Sequence, residues 1–236
     1  MRLEKVDSIM STIAANLQDI RRRISEALQG DRREVTVVAV SKAQPAAAIR
    51  EARASGCRDF GENYVKEAIA KMAELGDVDA TWHFIGQLQG NKAREVAERF
   101  DWVHGIDRAK IAAALARARP AARGALNVCV QVNISGEATK GGVQPGEAGA
   151  LAREVAAMPG LRLRGLMGMA SPSADTSRQR AEFAVLRRTL ESLRADGLGL
   201  DTLSMGMSRD FEAALAEGAT MLRIGTAIFG ERRKAA

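Results

Sequence analysis

The chain has 236 residues, of which 46% are hydrophobic, 27% charged and 4% aromatic, with a formal net charge of +6 at pH 7. These values are ordinary for a soluble globular chain that is long enough for one large domain. No apolar run approaches the ~20 residues that span a bilayer. We therefore expect no membrane association. Two cysteines without a disulfide framework, and an N-terminus without a signal-type apolar block, favour a cytoplasmic protein.

Arginines cluster at residues 21–23 and 32–33, a pattern that a polyanion could bind. Few aromatic side chains are available to stack on bases. We expect a solvated helix face there and no nucleic-acid partner.

Residues 3–29 are predicted as an additional N-terminal helix, because apolar side chains recur every three or four positions until Gly30. Strands and helices then alternate along the rest of the chain. The predicted strands are 35–42, 57–63, 82–86, 102–106, 127–134, 163–169, 202–205 and 221–229. The predicted helices are 45–55, 64–75, 91–100, 108–119, a segment ending at 158, 177–195 and 210–217.

Strands that alternate with helices indicate an α/β fold with a parallel sheet, and a count of eight favours a single (β/α)8 TIM barrel. The barrel is predicted over residues 35–230, within one domain that spans residues 1–236. An open doubly wound sheet is the alternative. The G-x-G-x-x-G motif that usually follows its first strand is absent.

The first predicted strand ends on Lys42. Lysine is almost never fully buried without a partner, and at the carboxyl end of a barrel strand its amine points toward the usual place of an active site. The other interpretation is that Lys42 only marks where the strand reaches the surface. Polar residues at the other strand ends favour a site. They include Asn63, His83, Gln87, His104, Asp107, Asn133, Ser135, Ser171, Ser208 and Thr226.

No metal site is predicted. Cys57 and Cys129 provide neither a disulfide framework nor metal-ligand spacing. His83 and His104 lie far apart in sequence, with no H-E-x-x-H motif or cysteine pair nearby. We expect His104 to be a hydrogen-bonded core histidine.

The last two loops are typical of a phosphate site. Ser208 lies at or next to the N-terminus of the helix predicted over 210–217, where backbone N–H groups and the helix dipole favour an anion. Gly225 permits close approach of the backbone and Thr226 supplies a hydroxyl, in loops that barrels frequently use for phosphate. An ordinary helix cap with a turn glycine is the alternative.

A lysine after the first strand and a phosphate site after the last become neighbours when a barrel closes. Burial would lower the pKa of the lysine amine and free it to attack a carbonyl. The pair predicts a Schiff base with a phosphorylated aldehyde, with pyridoxal 5′-phosphate (PLP) as the first candidate and a sugar phosphate as the second. Arg223 at the ring nitrogen would disfavour its protonation and weaken the electron sink that PLP enzymes use.

Motifs spread over nearly the whole chain occur in the order in which one known family has them. They are Ala39-Val-Ser-Lys42, Phe60-Gly-Glu-Asn-Tyr64, Trp82-His-Phe-Ile-Gly-Gln-Leu-Gln89, Asn91-Lys92, Val132-Asn-Ile-Ser135, Lys140-Gly141, Gly165-Leu-Met-Gly-Met169, Ser204-Met-Gly-Met-Ser208 and Arg223-Ile-Gly-Thr-Ala-Ile-Phe-Gly230. Together they resemble the pyridoxal phosphate homeostasis protein family, whose PLP-binding barrel is similar to the N-terminal domain of alanine racemases.

The resemblance implies that Lys42 is the Schiff-base lysine. It also implies a pocket with Ser208, Gly225 and Thr226 around the phosphate, Arg223 near the pyridine nitrogen, and Asn63 and His83 in the lining. Lys140 corresponds to a loop lysine that the resemblance associates with PLP transfer or secondary binding. Many members carry a second lysine where this chain has Gln44, so the resemblance carries over no role of that lysine to this chain.

Alanine racemases use a tyrosine from a second, C-terminal domain as one of two acid–base groups and dimerise through that domain. This chain ends at Ala236 and its one tyrosine is Tyr64. We therefore expect a monomeric PLP carrier in vitamin B6 homeostasis without catalytic turnover, with PLP-dependent apo-enzymes as candidate recipients. A PLP-dependent amino-acid racemase-like enzyme and a Schiff-base aldolase of sugar phosphates are the alternatives.

Overall fold

A computed structural model describes residues 3–137 and 140–231, with side chains from residue 12 onward. Its eight parallel strands close into a barrel in which each strand pairs with the next and the last pairs with the first. The strands are β1 (Thr36–Val40), β2 (Asp59–Glu62), β3 (Thr81–Phe84), β4 (Trp102–Ile106), β5 (Leu126–Gln131), β6 (Leu161–Met167), β7 (Thr202–Ser204) and β8 (Met221–Ile224). The predicted TIM barrel is confirmed, and the doubly wound alternative is wrong.

One helix precedes the barrel, one follows each strand, and the helices cover its outside. They are α1 (Leu3–Leu28), α2 (Ala46–Ala54), α3 (Val65–Glu74), α4 (Ala93–Arg99), α5 (Ala109–Ala118), α6 (Ala148–Ala156), α7 (Thr176–Ala195), α8 (Phe211–Ala216) and α9 (Thr226–Phe229). Within the described ranges, no helix is both long enough and apolar enough to cross a membrane.

The predicted N-terminal helix is confirmed as α1, which lies against the outside of the barrel beside α2, α8 and α9. One face of this helix is buried, because its apolar residues repeat at steps of four, three and four. These residues are Ile13, Leu17, Ile20 and Ile24. Burial of each such side chain stabilises the fold by about 1.5–3 kcal/mol. Asn16 adds a hydrogen bond from Nδ2 to the carbonyl oxygen of Ile228 at 2.9 Å, which ties α1 to α9.

The strand predicted over 221–229 is wrong in its second half. β8 ends at Ile224, and the next residues form the single turn α9, in which Ile228 N donates to Gly225 O at 2.9 Å. The periodicity of so short an apolar run cannot distinguish a strand from a helix. The side chain of Ile228 is buried on the helical turn that α1 covers, and not in the sheet.

The barrel encloses a small interior core that is separate from the larger core between strands and helices. Alternate residues of each strand point inward, and the apolar members of the interior are Val38, Trp102, Cys129, Met167 and Met221. Polar side chains on inward positions of β3, β4, β7 and β8 share this space. They are His83, His104, Ser204 and Arg223, all buried.

Candidate cofactor site at the mouth of the barrel

Lys42 lies at the carboxyl end of the barrel, where β1 meets β8. β1 ends at Val40, and Ser41 N continues the ladder by donating to Gly61 O at 3.0 Å. Lys42 is half-buried and lies in a small cleft between the two strand ends. The cleft is lined by Val40, Lys42, Gln44, Gly225, Thr226 and Gly230. The structure therefore brings Lys42 together with two predicted phosphate-site residues, and Gln44 faces the same cleft.

A buried polar cluster, which we call the Lys71 cluster, holds the segment that carries Lys42. Lys71 Nζ donates to Ser41 O at 2.7 Å, to Glu62 Oε1 at 2.8 Å and to Glu67 Oε1 at 2.5 Å. Glu62 Oε1 also accepts from Ser41 Oγ at 2.6 Å. Glu67 Oε1 accepts from the backbone N of Ala43 at 2.5 Å, where the chain turns with φ of 60°. The cluster fixes both sides of Lys42 in the chain.

The carboxyl group of Glu62 is fully buried within this cluster. Burial raises its pKa above the ordinary value, whereas the hydrogen bonds from Lys71 and Ser41 oppose that rise. Neither Lys71 nor its role was predicted from the sequence. The signal was present in the spacing of Glu67 and Lys71, which places opposite charges one helical turn apart.

The loops after β7 and β8 are joined through Ser208. Its Oγ accepts from the backbone N of Ala227 at 3.2 Å. Ser208 therefore contacts the N-terminus of α9, in addition to lying just before the helix predicted over 210–217. The helix predicted over 210–217 begins at Phe211, with Asp210 as its N-cap. Met207 N donates to Asp210 Oδ1 at 2.5 Å, which closes the loop. The structure thus brings Ser208 beside the turn that contains Gly225 and Thr226, and their role in a phosphate site stays a prediction.

Gly206 lets the loop after β7 reach this position. Its φ is +92°, and a Cβ there would lie 2.7 Å from Ala214 Cβ and 3.1 Å from Phe211 Cα. No other residue type fits this conformation and this close approach.

Arg223 lies inside the barrel below the cleft and is 5% exposed. Its Nη1 donates to Ser204 O at 2.6 Å and to Ser204 Oγ at 2.7 Å, and its Nη2 donates to Gly168 O at 2.9 Å. Burial lowers the pKa of the guanidinium to about 10, and the nearby Asp210 carboxylate opposes this fall. Arg223 is therefore a fixed cation at neutral pH.

Asn63 follows β2 at the level of Lys42, because the parallel register places Val40 beside Gly61. The Oδ1 atom of Asn63 is buried, and no described residue donates a hydrogen bond to it. An orphaned buried acceptor of this kind calls for a partner, and a bound ligand at the mouth would provide one.

His83 lies deeper than the residues at the mouth. Its ring is fully buried and stacks on Trp102, with 5.5 Å between ring centroids. Its Nδ1 lies 2.9 Å from His104 Nε2. His104 is the hydrogen-bonded core histidine that was predicted. Burial, followed by the electrostatic influence of His83 and Arg223, lowers the pKa of His104 well below its ordinary value. Among the described hydrogen bonds, His83 is linked toward the mouth through His104 and Ser204.

Lys140 lies on the loop after β5. The side chain of Asn133 shapes this loop by donating from Nδ2 to Glu137 O at 2.9 Å and to Lys140 O at 3.4 Å. Lys140 is not among the described residues that line the cleft of Lys42.

The residues at the mouth fit a phosphorylated aldehyde. They offer a primary amine, hydroxyl and backbone N–H donors for a phosphate, a buried cation and an unsatisfied amide oxygen, all at the end of the barrel where active sites lie.

A closed barrel with Lys42 after β1 and a candidate phosphate site in the loops after β7 and β8 is typical of the alanine racemase N-terminal domain class. The family model described as "Alanine racemase, N-terminal domain" matches residues 10–233. The pyridoxal phosphate homeostasis protein of Pseudomonas aeruginosa is 56% identical over 226 residues, covering 94% of this chain and 97% of the relative. That of Escherichia coli K12 is 50% identical over 232 residues, covering 94% and 98%. The chain belongs to the pyridoxal phosphate homeostasis protein family.

A solved structure of PipY from Synechococcus elongatus with PLP bound has the same fold. It is 40% identical to this chain, with a TM-score of 0.81, and the match covers 92% of this chain and 100% of PipY.

Proposed function

We propose that the protein binds PLP at the mouth of the barrel and serves intracellular PLP homeostasis. The observation that carries the proposal is the cleft in which Lys42 faces Gly225 and Thr226. The PLP-bound relative supports it, since that chain is 40% identical over nearly the whole length.

In this proposal Lys42 Nζ adds to the aldehyde carbon of PLP, and water leaves as the C=N bond of the Schiff base forms. Ser208, Gly225 and Thr226 hold the phosphate through hydroxyl and backbone N–H groups. When bound, PLP supplies an aldehyde and an electron-accepting ring.

Three further residues complete the proposed pocket. Arg223 donates to the pyridine nitrogen and keeps it unprotonated, because a cation disfavours a second positive charge beside it. Asn63 donates from its amide or accepts at its orphaned Oδ1, and His83 supports the pocket from below through His104.

We further propose that the protein carries PLP without turning over amino acids. The named relatives are homeostasis proteins. The one tyrosine of the chain, Tyr64, is 62% exposed, whereas two-base proton transfer works in a pocket that excludes water. We place the protein in the cytoplasm as a single-domain monomer that passes PLP to apo-enzymes.

A racemase-like enzyme is the second candidate, because the matching family model is that of an alanine racemase domain. An enzyme would exchange the α-proton of an amino acid with solvent deuterium. The carrier is expected to show no exchange beyond that of free PLP, and to give up its PLP to a PLP-requiring apo-enzyme.

The test begins with the visible spectrum of the purified protein with and without added PLP. We expect a yellow band that borohydride bleaches, with the phosphopyridoxyl mass on the peptide that contains Lys42. Lys42→Ala should lose both signals, whereas Lys66→Ala, which changes an exposed lysine on α3, should keep them. A wild-type protein that cannot be loaded with PLP would refute the proposal and direct attention to sugar phosphates.

A further inference from the structure

A continuous chain of hydrogen bonds crosses the barrel interior. Arg223 Nη1 donates to Ser204 Oγ at 2.7 Å, and Ser204 Oγ lies 2.8 Å from His104 Nδ1. His104 Nε2 lies 2.9 Å from His83 Nδ1, and His83 Nε2 lies 2.9 Å from Asp59 Oδ1. We call these five residues the interior relay.

The relay joins opposite ends of the barrel. Asp59 is the first residue of β2, at the amino end, and its side chain is 25% exposed. His83, His104 and Ser204 are fully buried. Water therefore reaches the relay at Asp59, whereas the other terminus, Arg223, lies below the cleft of Lys42.

The two ends of the relay determine the direction of every bond between them. Arginine can only donate and an ionised aspartate can only accept, so His83 donates from Nε2 to Asp59. With uncharged imidazoles, His83 Nδ1 then accepts from His104 Nε2, and His104 Nδ1 accepts from the hydroxyl of Ser204. The lone pairs of Ser204 Oγ are left for Arg223.

Charged and titratable groups lie at both ends of the relay. Asp210 and Cys129 face Arg223. Cys57 faces Asp59, and Arg21 and Arg58 line the same surface cavity as Asp59. Burial raises the pKa of Cys57 to about 11 and that of Cys129 to about 12, so both thiols stay neutral near pH 7. Asp210 acts on Arg223 directly and cannot orient the histidines.

We propose that Asp59 is a positioning residue for Arg223, which it orients from the far end of the barrel through the interior relay. The inference rests on the proposed function, since Arg223 is there assigned to the pyridine nitrogen. Without an anionic acceptor at position 59 the imidazoles can reverse, His104 then donates to Ser204, and the hydroxyl hydrogen turns away from His104. The Ser204 hydroxyl oxygen then presents its lone pairs to Arg223 Nη1 in a different direction, while the carbonyl oxygens of Ser204 and Gly168 still hold the guanidinium. The N–H donor that Arg223 offers to the ring of bound PLP changes in direction and strength as a result.

The first test needs no PLP. The chain contains 2 histidines, so ¹⁵N-histidine labelling reports the relay alone. We expect both imidazoles of the apo-protein to be Nε2–H tautomers at pH 7.5. Asp59→Asn should mix the tautomers of both rings, whereas Asp59→Glu, which keeps the acceptor, should restore the wild-type pattern. Unchanged tautomers in folded Asp59→Asn would overturn the proposal.

The second test uses the protein loaded with PLP. We expect Asp59→Asn to shift the pH midpoint of the PLP absorption band by at least about 0.5 unit, as a change in charge balance at the ring nitrogen would. Ser204→Ala breaks the relay beside Arg223, and the double variant should shift no further than the larger single one, because coupled residues are not additive. Asp77→Asn removes an exposed charge paired with Arg50 and is the matched control.

Additive shifts, or an Asp59→Asn spectrum equal to that of Asp77→Asn, would overturn the role of Asp59. A wild-type protein that binds no PLP would instead overturn the proposed function and the assignment of Arg223 to the ring. The tautomer measurement would still decide whether Asp59 orients the relay.

Discussion

Two buried cations, Arg223 and Lys71, shape the mouth of this barrel, and their partners differ in kind. Arg223 donates to Ser204 and to the carbonyl of Gly168, so its charge is solvated by dipoles and is available to a ligand. Lys71 faces two carboxylates, so its charge is neutralised within the protein. Arg223 is therefore suited to bind a ligand, whereas Lys71 stabilises the backbone at the mouth.

We predict that Lys71→Met destabilises the fold at pH 7 by about 3–5 kcal/mol, because it leaves the buried Glu62 carboxylate unpaired. The folded-state pKa of Glu62 is already raised by burial and rises further in the variant. The folded state then binds more protons than the unfolded one, so stability falls as pH rises above the unfolded pKa. Urea unfolding should show a smaller loss at pH 5 than at pH 7.

The control for this prediction is the double variant Lys71→Met/Glu62→Gln. It removes the buried charge, and we expect it to recover part of the lost stability at pH 7. An equal loss at both pH values would contradict the role given to Glu62.

Gly206→Ala is predicted to destabilise the fold by about 2–4 kcal/mol and to weaken PLP binding. The added Cβ meets Ala214 Cβ at 2.7 Å in a left-handed conformation, and both overpacking and backbone strain cost free energy. Gly76→Ala is the control, because a Cβ there meets nothing within 4 Å. Equal unfolding midpoints for the two variants would show that the loop after β7 is not held as described.

At the scale of elements, the barrel could be predicted because strands and helices alternate with clear turn signals. The helical turn α9 could not, since the apolar run after Gly225 is too short for its period to show. Within the candidate site, Lys42 and Ser208 could be singled out because polar residues at strand ends are informative. Ser204 was noted only as part of a motif and Lys71 was not noted, because their roles depend on partners that only the closed barrel brings near.

The element that links the outer surface to the mouth is α1, through Asn16 and the carbonyl of Ile228. We predict that Asn16→Ala lowers the free energy of unfolding by about 1 kcal/mol, the typical contribution of one hydrogen bond. Because α9 also contacts Ser208, PLP should dissociate a few-fold faster. Gln18→Ala, an exposed position on the same helix, should change neither value in urea unfolding or stopped-flow release.

At the scale of the whole molecule, a ligand held between the first and last strands stabilises every strand between them. We predict that free PLP at 100 times its dissociation constant raises the free energy of unfolding by about 2.7 kcal/mol. Pyridoxine 5′-phosphate keeps the phosphate but has no aldehyde, and should stabilise less at equal concentration. Thermal unfolding of wild type and Lys42→Ala checks this, because the variant should respond equally to both compounds.

The closure of β8 onto β1 also has a consequence for synthesis of the protein. Lys42 and Gly225 line one cleft but stand near opposite ends of the chain. At 5–20 residues per second, a ribosome makes the first roughly 10–40 s before the second. Under the proposed function, a nascent chain carries Lys42 before the residues proposed to hold the phosphate exist, so we expect it to retain no PLP while it is being translated. Loading with PLP would then mark a chain whose translation is finished and whose barrel has closed.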